Sequence, residues 1–215
     1  MADQPWPGAG HRYESVTEEA VAALSRGALV VLPTDTVYGL CADGYREGPY
    51  RRLARVKGRP EGMPTALLAA SFDAILDAVP EARGRAAVAA RALLPGPYTL
   101  VLPNPARRFR WLAGGSPDRI GVRVPNLPPP ANAVVERAGV VAATSANLHG
   151  GSDPARLDDV PVEIRSAVAA AVDGGTLSGT PSTVLDLTGP EPVVLREGAV
   201  AREEALERAA RALTA

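Results

Sequence analysis

Residues 28–42, ALVVLPTDTVYGLCA, hold two apolar runs, ALVVLP (28–33) and VYGLCA (37–42), parted by the polar triplet Thr34-Asp35-Thr36. Short runs rich in Val and Leu and bounded by turn residues predict a pair of strands. Helical signals flank the pair. Upstream, Thr17 followed by Glu18 and Glu19 predicts a helix start with acids at the positive end of the dipole, and Gly27 predicts its stop. Downstream, Tyr50, Leu53, Ala54 and Val56 share a face over about 48–56, with Arg51, Arg52 and Arg55 largely off it.

The same alternation continues to the end of the chain. Strands are expected at 65–71, 98–103, 119–125, 140–144, 182–187 and 192–197. Helices are expected in a short segment opened by Ser71 and Asp73, then at 81–93 ahead of Pro95, 130–138, 162–172 and 201–213. Strands interleaved with helices, without repeats or low-complexity linkers, predict an α/β or α+β domain over 16–215. Residues 1–15, rich in Pro, Gly and polar groups, are expected to form a loose, flexible arm.

Composition closes several routes. The chain has 215 residues, 46% of them hydrophobic, and 23 basic against 24 acidic side chains. That near-balance argues against a general nucleic-acid binder, which needs a clustered basic excess. Lys57 is the only lysine, and Gly58 follows it, so there is no P-loop, which needs Ser or Thr there. One cysteine (Cys41) and two histidines (His11, His149), far apart, exclude a structural zinc site and a disulfide within the chain. His11 lies in the Pro/Gly-rich arm and His149 beside two glycines, neither a setting for the rigid base of a catalytic triad. No apolar run nears the ~20 residues that span a bilayer, and the first ten residues lack a signal pattern, so a cytoplasmic protein is expected.

Four stretches bring polar groups to turns next to apolar strands, where α/β proteins usually assemble ligand sites. Thr34-Asp35-Thr36 offers hydroxyls to a small polar molecule, or serves only as turn chemistry. Lys57-Gly58-Arg59-Pro60 lets two cations converge on one anion, or is a solvated surface pair; a chain otherwise committed to Arg places its single Lys where a compact point charge differs from a planar fork. Ala143-Thr144-Ser145-Ala146-Asn147 supplies donors for a phosphate or nucleotide, or caps a helix. Ser178 to Thr183 together with Arg196 suits an anion, or an ordinary turn.

Read together, PTDTVYGL (33–40), KGRP (57–60), LPGPYTLVLP (94–103), GVRVP (121–125), TSAN (144–147), PSTVLD (181–186) and LREG (195–198) resemble, in order, the YrdC-like family of L-threonylcarbamoyladenylate synthases. The resemblance implies a twisted, mixed, open α/β sheet with helices packed on it and a deep, positively charged cleft. It implies formation of threonylcarbamoyl-AMP and pyrophosphate from L-threonine, bicarbonate or CO2, and ATP, with Mg²⁺ bridging phosphates. The product would feed a separate transferase complex that modifies position 37 of tRNA.

Carried across by motif, Lys57 and Arg59 are the catalytic pair and bind ATP with Ser145, Asn147 and Arg196. Thr34, Arg123, Ala143 and Ser182 hold L-threonine, and no protein-held metal is implied. Three departures stand out. Leu67 and Leu68 occupy a region where some relatives carry His. Arg119 stands where some have a nucleotide-contacting hydroxyl. A single C-terminal helix replaces the second domain of longer members, so the short, single-domain form is expected. Competing readings are a carbamoyl-adenylate enzyme using carbamoyl phosphate, and a non-enzymatic module binding single- or double-stranded RNA; an aromatic content of 4% leaves the latter few stacking platforms.

Overall fold

The computed structural model describes residues 11–60 and 62–214 and gathers nine strands into one twisted mixed sheet. In chain order the elements are α1 (His11–Ser25), β1 (Leu29–Pro33), β2 (Tyr38–Asp43), α2 (Glu47–Lys57), β3 (Ala66–Ala69), α3 (Phe72–Ala78), α4 (Gly84–Leu93), β4 (Tyr98–Pro103), β5 (Arg119–Arg123), α5 (Pro129–Ala138), β6 (Val140–Ser145), α6 (Val162–Ala167), β7 (Val168–Ala171), β8 (Thr183–Asp186), β9 (Val193–Arg196) and α7 (Arg202–Thr214). The sheet order is β7-β1-β2-β6-β3-β5-β4-β8-β9. The β1–β7, β3–β5 and β4–β8 pairs are parallel, and the rest are antiparallel.

Side chains alternate across a strand, so each face of the sheet can be followed by register. On one face, Val30, Leu32, Cys41, Leu68 and Val141 are covered by α1 and α5, through Ala20, Ala23, Leu24, Val134 and Val135. On the other, α2 and α6 cover Leu29, Val31, Leu40 and Ala42, and α3, α4 and α7 cover Leu67, Leu100, Leu102, Ile120, Val122 and Leu185. Leu68 pairs with Arg123, Val122 with Leu100, and Val101 with Gly121, which sets Arg123, Gly121 and Val101 on the α1/α5 face. There, beyond β3, helices no longer cover the sheet, and that bare half becomes a floor.

Most expected elements are present, with ends moved by three residues or fewer. The exceptions are the start of α1 and 162–172, the latter expected as one helix. Only Val162–Ala167 is helical; Val168–Ala171 pairs in parallel with β1 at the sheet edge. Alanine favours the helix, but the unpaired backbone of β1 offers this run a ladder, and tertiary pairing overrides propensity. At the other end, Thr17 sits within α1, buried, rather than opening it. Residues 11–15 of the expected arm are helical, and 1–10 lie outside the described residues. Leu67 and Leu68 are both core residues, on opposite faces of β3.

Candidate active site

The bare half of the sheet floors a cleft of about 560 Å³. Alternation delivers Thr99 and Val101 from β4, Arg119, Gly121 and Arg123 from β5, and Val184 and Asp186 from β8 to that floor. The walls come from the segments around Val37, Pro64, Ala113 to Ser116, Thr144 and Pro181. Among the described lining residues, four arginines (Arg59, Arg119, Arg123, Arg196) face one carboxylate, Asp186. Two of the four are ion-paired, Arg119 with Asp186 and Arg123 with Asp35.

At one end, Arg123 Nη2 donates to Asp35 Oδ1 (2.9 Å) and to Thr36 Oγ1 (2.8 Å), while Asp35 Oδ2 accepts from the Asn126 amide. Burial lowers the Arg123 pKa and the Asp35 carboxylate opposes that, so the ion pair fixes the guanidinium in a nearly dry site. Its Nε is buried without a partner. Thr34 builds the turn behind it: its Oγ1 donates to Val37 O (2.7 Å) and accepts from the Thr36 and Val37 amides. Nearby, the Thr99 and Ser182 hydroxyls are 2.8 Å apart, and Arg196 Nη2 donates to Ser182 O at 2.8 Å. Thr183 Oγ1 holds this corner by donating to Val200 O and accepting from the Gly198 and Val200 amides.

At the other end, α2 stops at Lys57 because Gly58 takes a left-handed conformation (φ 65°), a geometry that costs glycine little. That reversal separates the two cations. The Lys57 ammonium turns back under the β6 end and donates to Ser145 O (2.7 Å), Asn147 O (2.8 Å) and Asn147 Oδ1 (2.5 Å), one acceptor for each of its three protons. Desolvation, then the Arg59 cation, lowers its pKa to about 8, with Asp153 opposing. Asn147 Oδ1 also accepts from Ser145 Oγ (2.6 Å), and its Nδ2 donates to Gly151 O, so the amide is oriented on both sides. Arg59 turns toward the cleft, where Nη1 donates to Thr144 Oγ1 (3.1 Å) and Nη2 to Pro64 O (2.5 Å).

Six of the nine residues expected in the site line the cleft: Arg59, Arg123, Ala143, Ser145, Ser182 and Arg196. Lys57 (4% exposed), Asn147 (7%) and Thr34 (2%) lie behind its walls, bonded to them. Sequence reasoning did not pick out Thr36 and Asp35 as partners of Arg123, or Thr99, Gly121 and Asp186 on the floor. Strand alternation from Arg123 would have found Gly121 and from Ser182 would have found Asp186; Thr99 is brought beside them only by the pairing of β4 with β8. Arg119 also reaches the cleft, with Nη1 2.7 Å from Asp186 Oδ2; Asp186 Oδ1 accepts from the Thr188 amide and hydroxyl.

Fold and site define a mixed open-sheet α/β protein whose uncovered half-sheet face floors an arginine-lined cleft. The Sua5/YciO/YrdC family model, described as telomere recombination, matches residues 22–198. Threonylcarbamoyl-AMP synthase of Pyrococcus abyssi is 36% identical over 186 residues, 86% of this chain and 54% of that protein. The crystal structure of P. abyssi Sua5 complexed with L-threonine matches with a TM-score of 0.82 at 33% identity, over 93% of this chain and 58% of that one. A putative threonylcarbamoyl-AMP synthase of Mycobacterium tuberculosis H37Rv is 35% identical over 87% of this chain and 86% of its own length. E. coli YciO aligns over 92% and 95% of the two chains with a TM-score of 0.79 and 27% identity. The chain belongs to the Sua5/YciO/YrdC family. It spans about half the length of the Pyrococcus relative.

Proposed function

We propose that this protein is an L-threonylcarbamoyladenylate synthase, joining L-threonine, bicarbonate-derived CO2 and ATP into threonylcarbamoyl-AMP with release of pyrophosphate. The observation that carries this reading is one continuous cleft in which arginines stand at both ends of a small-residue floor. Among its described lining residues there is no His, Cys or Lys to act as nucleophile or base. The reaction suits such a site. The neutral threonine amine captures CO2, forming the N–C bond and releasing a proton to solvent; a carbamate oxygen then attacks the α-phosphorus while the bond to the β-phosphate oxygen breaks and pyrophosphate leaves. Neither step needs a covalent enzyme intermediate. Both need in-line placement and neutralised charge, which preorganised cations supply.

In this reading Arg123, fixed by Asp35 and Thr36, grips the threonine carboxylate, with Ala143 and the Ser182 hydroxyl shaping the pocket and Thr34 holding its turn. Arg59, Ser145 and Arg196 contact the nucleotide phosphates. Lys57 and Asn147 act from behind, fixing the turn that presents Ser145. Arg119 lies ~13 Å along β5 from Arg123, far enough to serve the nucleotide rather than the amino acid. Mg²⁺ enters with ATP on its phosphate oxygens; the described residues hold no group of three or more His, Cys, Asp or Glu placed for a metal. The adenylate then passes to a tRNA threonylcarbamoyl transferase complex in the cytoplasm. Among the described residues no helix is long and apolar enough to cross a membrane.

The relatives named as threonylcarbamoyl-AMP synthases support this reading over one based on carbamoyl phosphate or on RNA binding alone. A substrate-omission assay tests it. Pyrophosphate release from ATP is expected only when L-threonine and bicarbonate are both present. Equal release without threonine, or with carbamoyl phosphate as the sole carbamoyl source, contradicts the proposal.

A further inference from the structure

The loop between β4 and β5 meets the segment after Arg59 backbone to backbone. Gly114 has φ +62°, and a Cβ there would fall 2.4 Å from Gly62 O and 2.9 Å from Pro64 N. Those are main-chain atoms, so the backbone of this segment would itself have to shift. One residue on, the Thr65 amide donates to Leu112 O at 2.8 Å. Pro64, clasped between these contacts, presents the carbonyl that accepts from Arg59 Nη2 (2.5 Å). The loop itself is braced. Fully buried Asn104 donates through Nδ2 to Arg108 O and Pro117 O and accepts from the Arg108 amide, while the Arg108 guanidinium forks onto Glu81 (2.7 and 2.8 Å).

We propose that Gly114 is a positioning residue for Arg59: by seating the β4–β5 loop on Gly62 and Pro64, it fixes the carbonyl that aims the guanidinium at the nucleotide phosphates. This rests on the nucleotide role given to Arg59 above. Gly114→Ala displaces Pro64 and turns Arg59, leaving Arg123 and its Asp35 and Thr36 partners untouched.

Calorimetric titration of the full chain tests this. For Gly114→Ala the ATP Kd is expected to rise about 10- to 100-fold, as for the loss of one hydrogen bond to a charged group. The L-threonine Kd should change less than about twofold. Gly84→Ala, at φ +70° in open space remote from the cleft, carries the same backbone strain without the clash and should leave both unchanged. In an Arg59→Ala background, Gly114→Ala should weaken ATP no further, because its effect runs through the missing side chain. Parallel loss of both ligands, or effects that multiply, would overturn the proposal. Wild-type protein that fails to bind ATP overturns the nucleotide reading and this proposal with it; wild-type protein that binds ATP no better than Gly114→Ala overturns this proposal alone. Should Gly114→Ala not fold, hydrogen exchange at the wild-type Thr65 amide decides. Saturating ATP should slow it and L-threonine should not, and no change with ATP contradicts the clasp.

Discussion

Lys57 shows what a single residue does when its neighbours fix its protons. Its three acceptors come from Ser145 and Asn147, so the ammonium acts as a pin through the turn that carries the Ser145 hydroxyl to the cleft. A planar Arg fork cannot meet three converging oxygens in that space. Lys57→Arg is therefore expected to weaken ATP binding by about tenfold or more, roughly the loss of one charged hydrogen bond, with unchanged affinity scored as a failure of the pin. Protonation gives a second handle. The folded-state pKa is lowered to about 8 from the ordinary 10.5, so between these values the unfolded chain holds the extra proton and this group's contribution to stability rises with pH. Function moves the opposite way, since a neutral amine has two protons for three acceptors and leaves one point of the pin unbonded. ATP affinity, measured from pH 7 to 9.5, is expected to decline with a midpoint near pH 8; a flat profile would refute the link. Lys57 stood out in the sequence as the only lysine. Its partners did not, because they lie 88 and 90 positions away in the chain.

Elements act here by leaving something uncovered. Helices α1 and α5 stop over β3, and the strands beyond turn their alternate residues to solvent as a cleft floor. The turn between β1 and β2 reaches across to that floor through Asp35, joining the covered half of the sheet to the bare half at Arg123. The side chains of this pair are 12% and 11% exposed, and removing one partner of a buried pair strands the other charge. Asp35→Ala should cost about 3 to 5 kcal/mol of stability in denaturant titration and abolish L-threonine binding. For contrast, Glu47→Gln, which removes the exposed partner of Arg51 (2.7 Å), should change stability by less than about 0.5 kcal/mol. A small effect at Asp35 would mean that water screens the pair. Period and turn residues placed nearly every strand and helix. They failed at 168–171, where VAAA reads as helix and only the open edge of β1, more than 130 residues upstream, makes it a strand. They also could not say which strand face stays bare, since that depends on where helices from distant segments dock.

At the scale of the molecule, one mixed sheet is packed by helices on both faces over one half, while the other half is packed on one face only and turns its second face to the site. Motifs scattered from residue 33 to residue 198 meet because β5, β4 and β8 lie side by side beyond β3 and the β1–β2 turn and the ends of α2 and β6 reach the same cleft. Their order along the chain made the family legible before any geometry, while the division of labour between cleft-lining Arg59 and buried Lys57 needed the fold. The proposed reaction works by placement: a threonine carboxylate at Arg123, phosphates at Arg59 and Arg196, and a carbamate brought in line between them. The most direct test supplies ATP, L-threonine and carbon-13 bicarbonate and identifies the adenylated product by mass spectrometry. Threonylcarbamoyl-AMP with the heavy carbon in its carbamoyl group is the expected result. An adenylate lacking that carbon, or no adenylate although ATP and threonine both bind, would contradict the account.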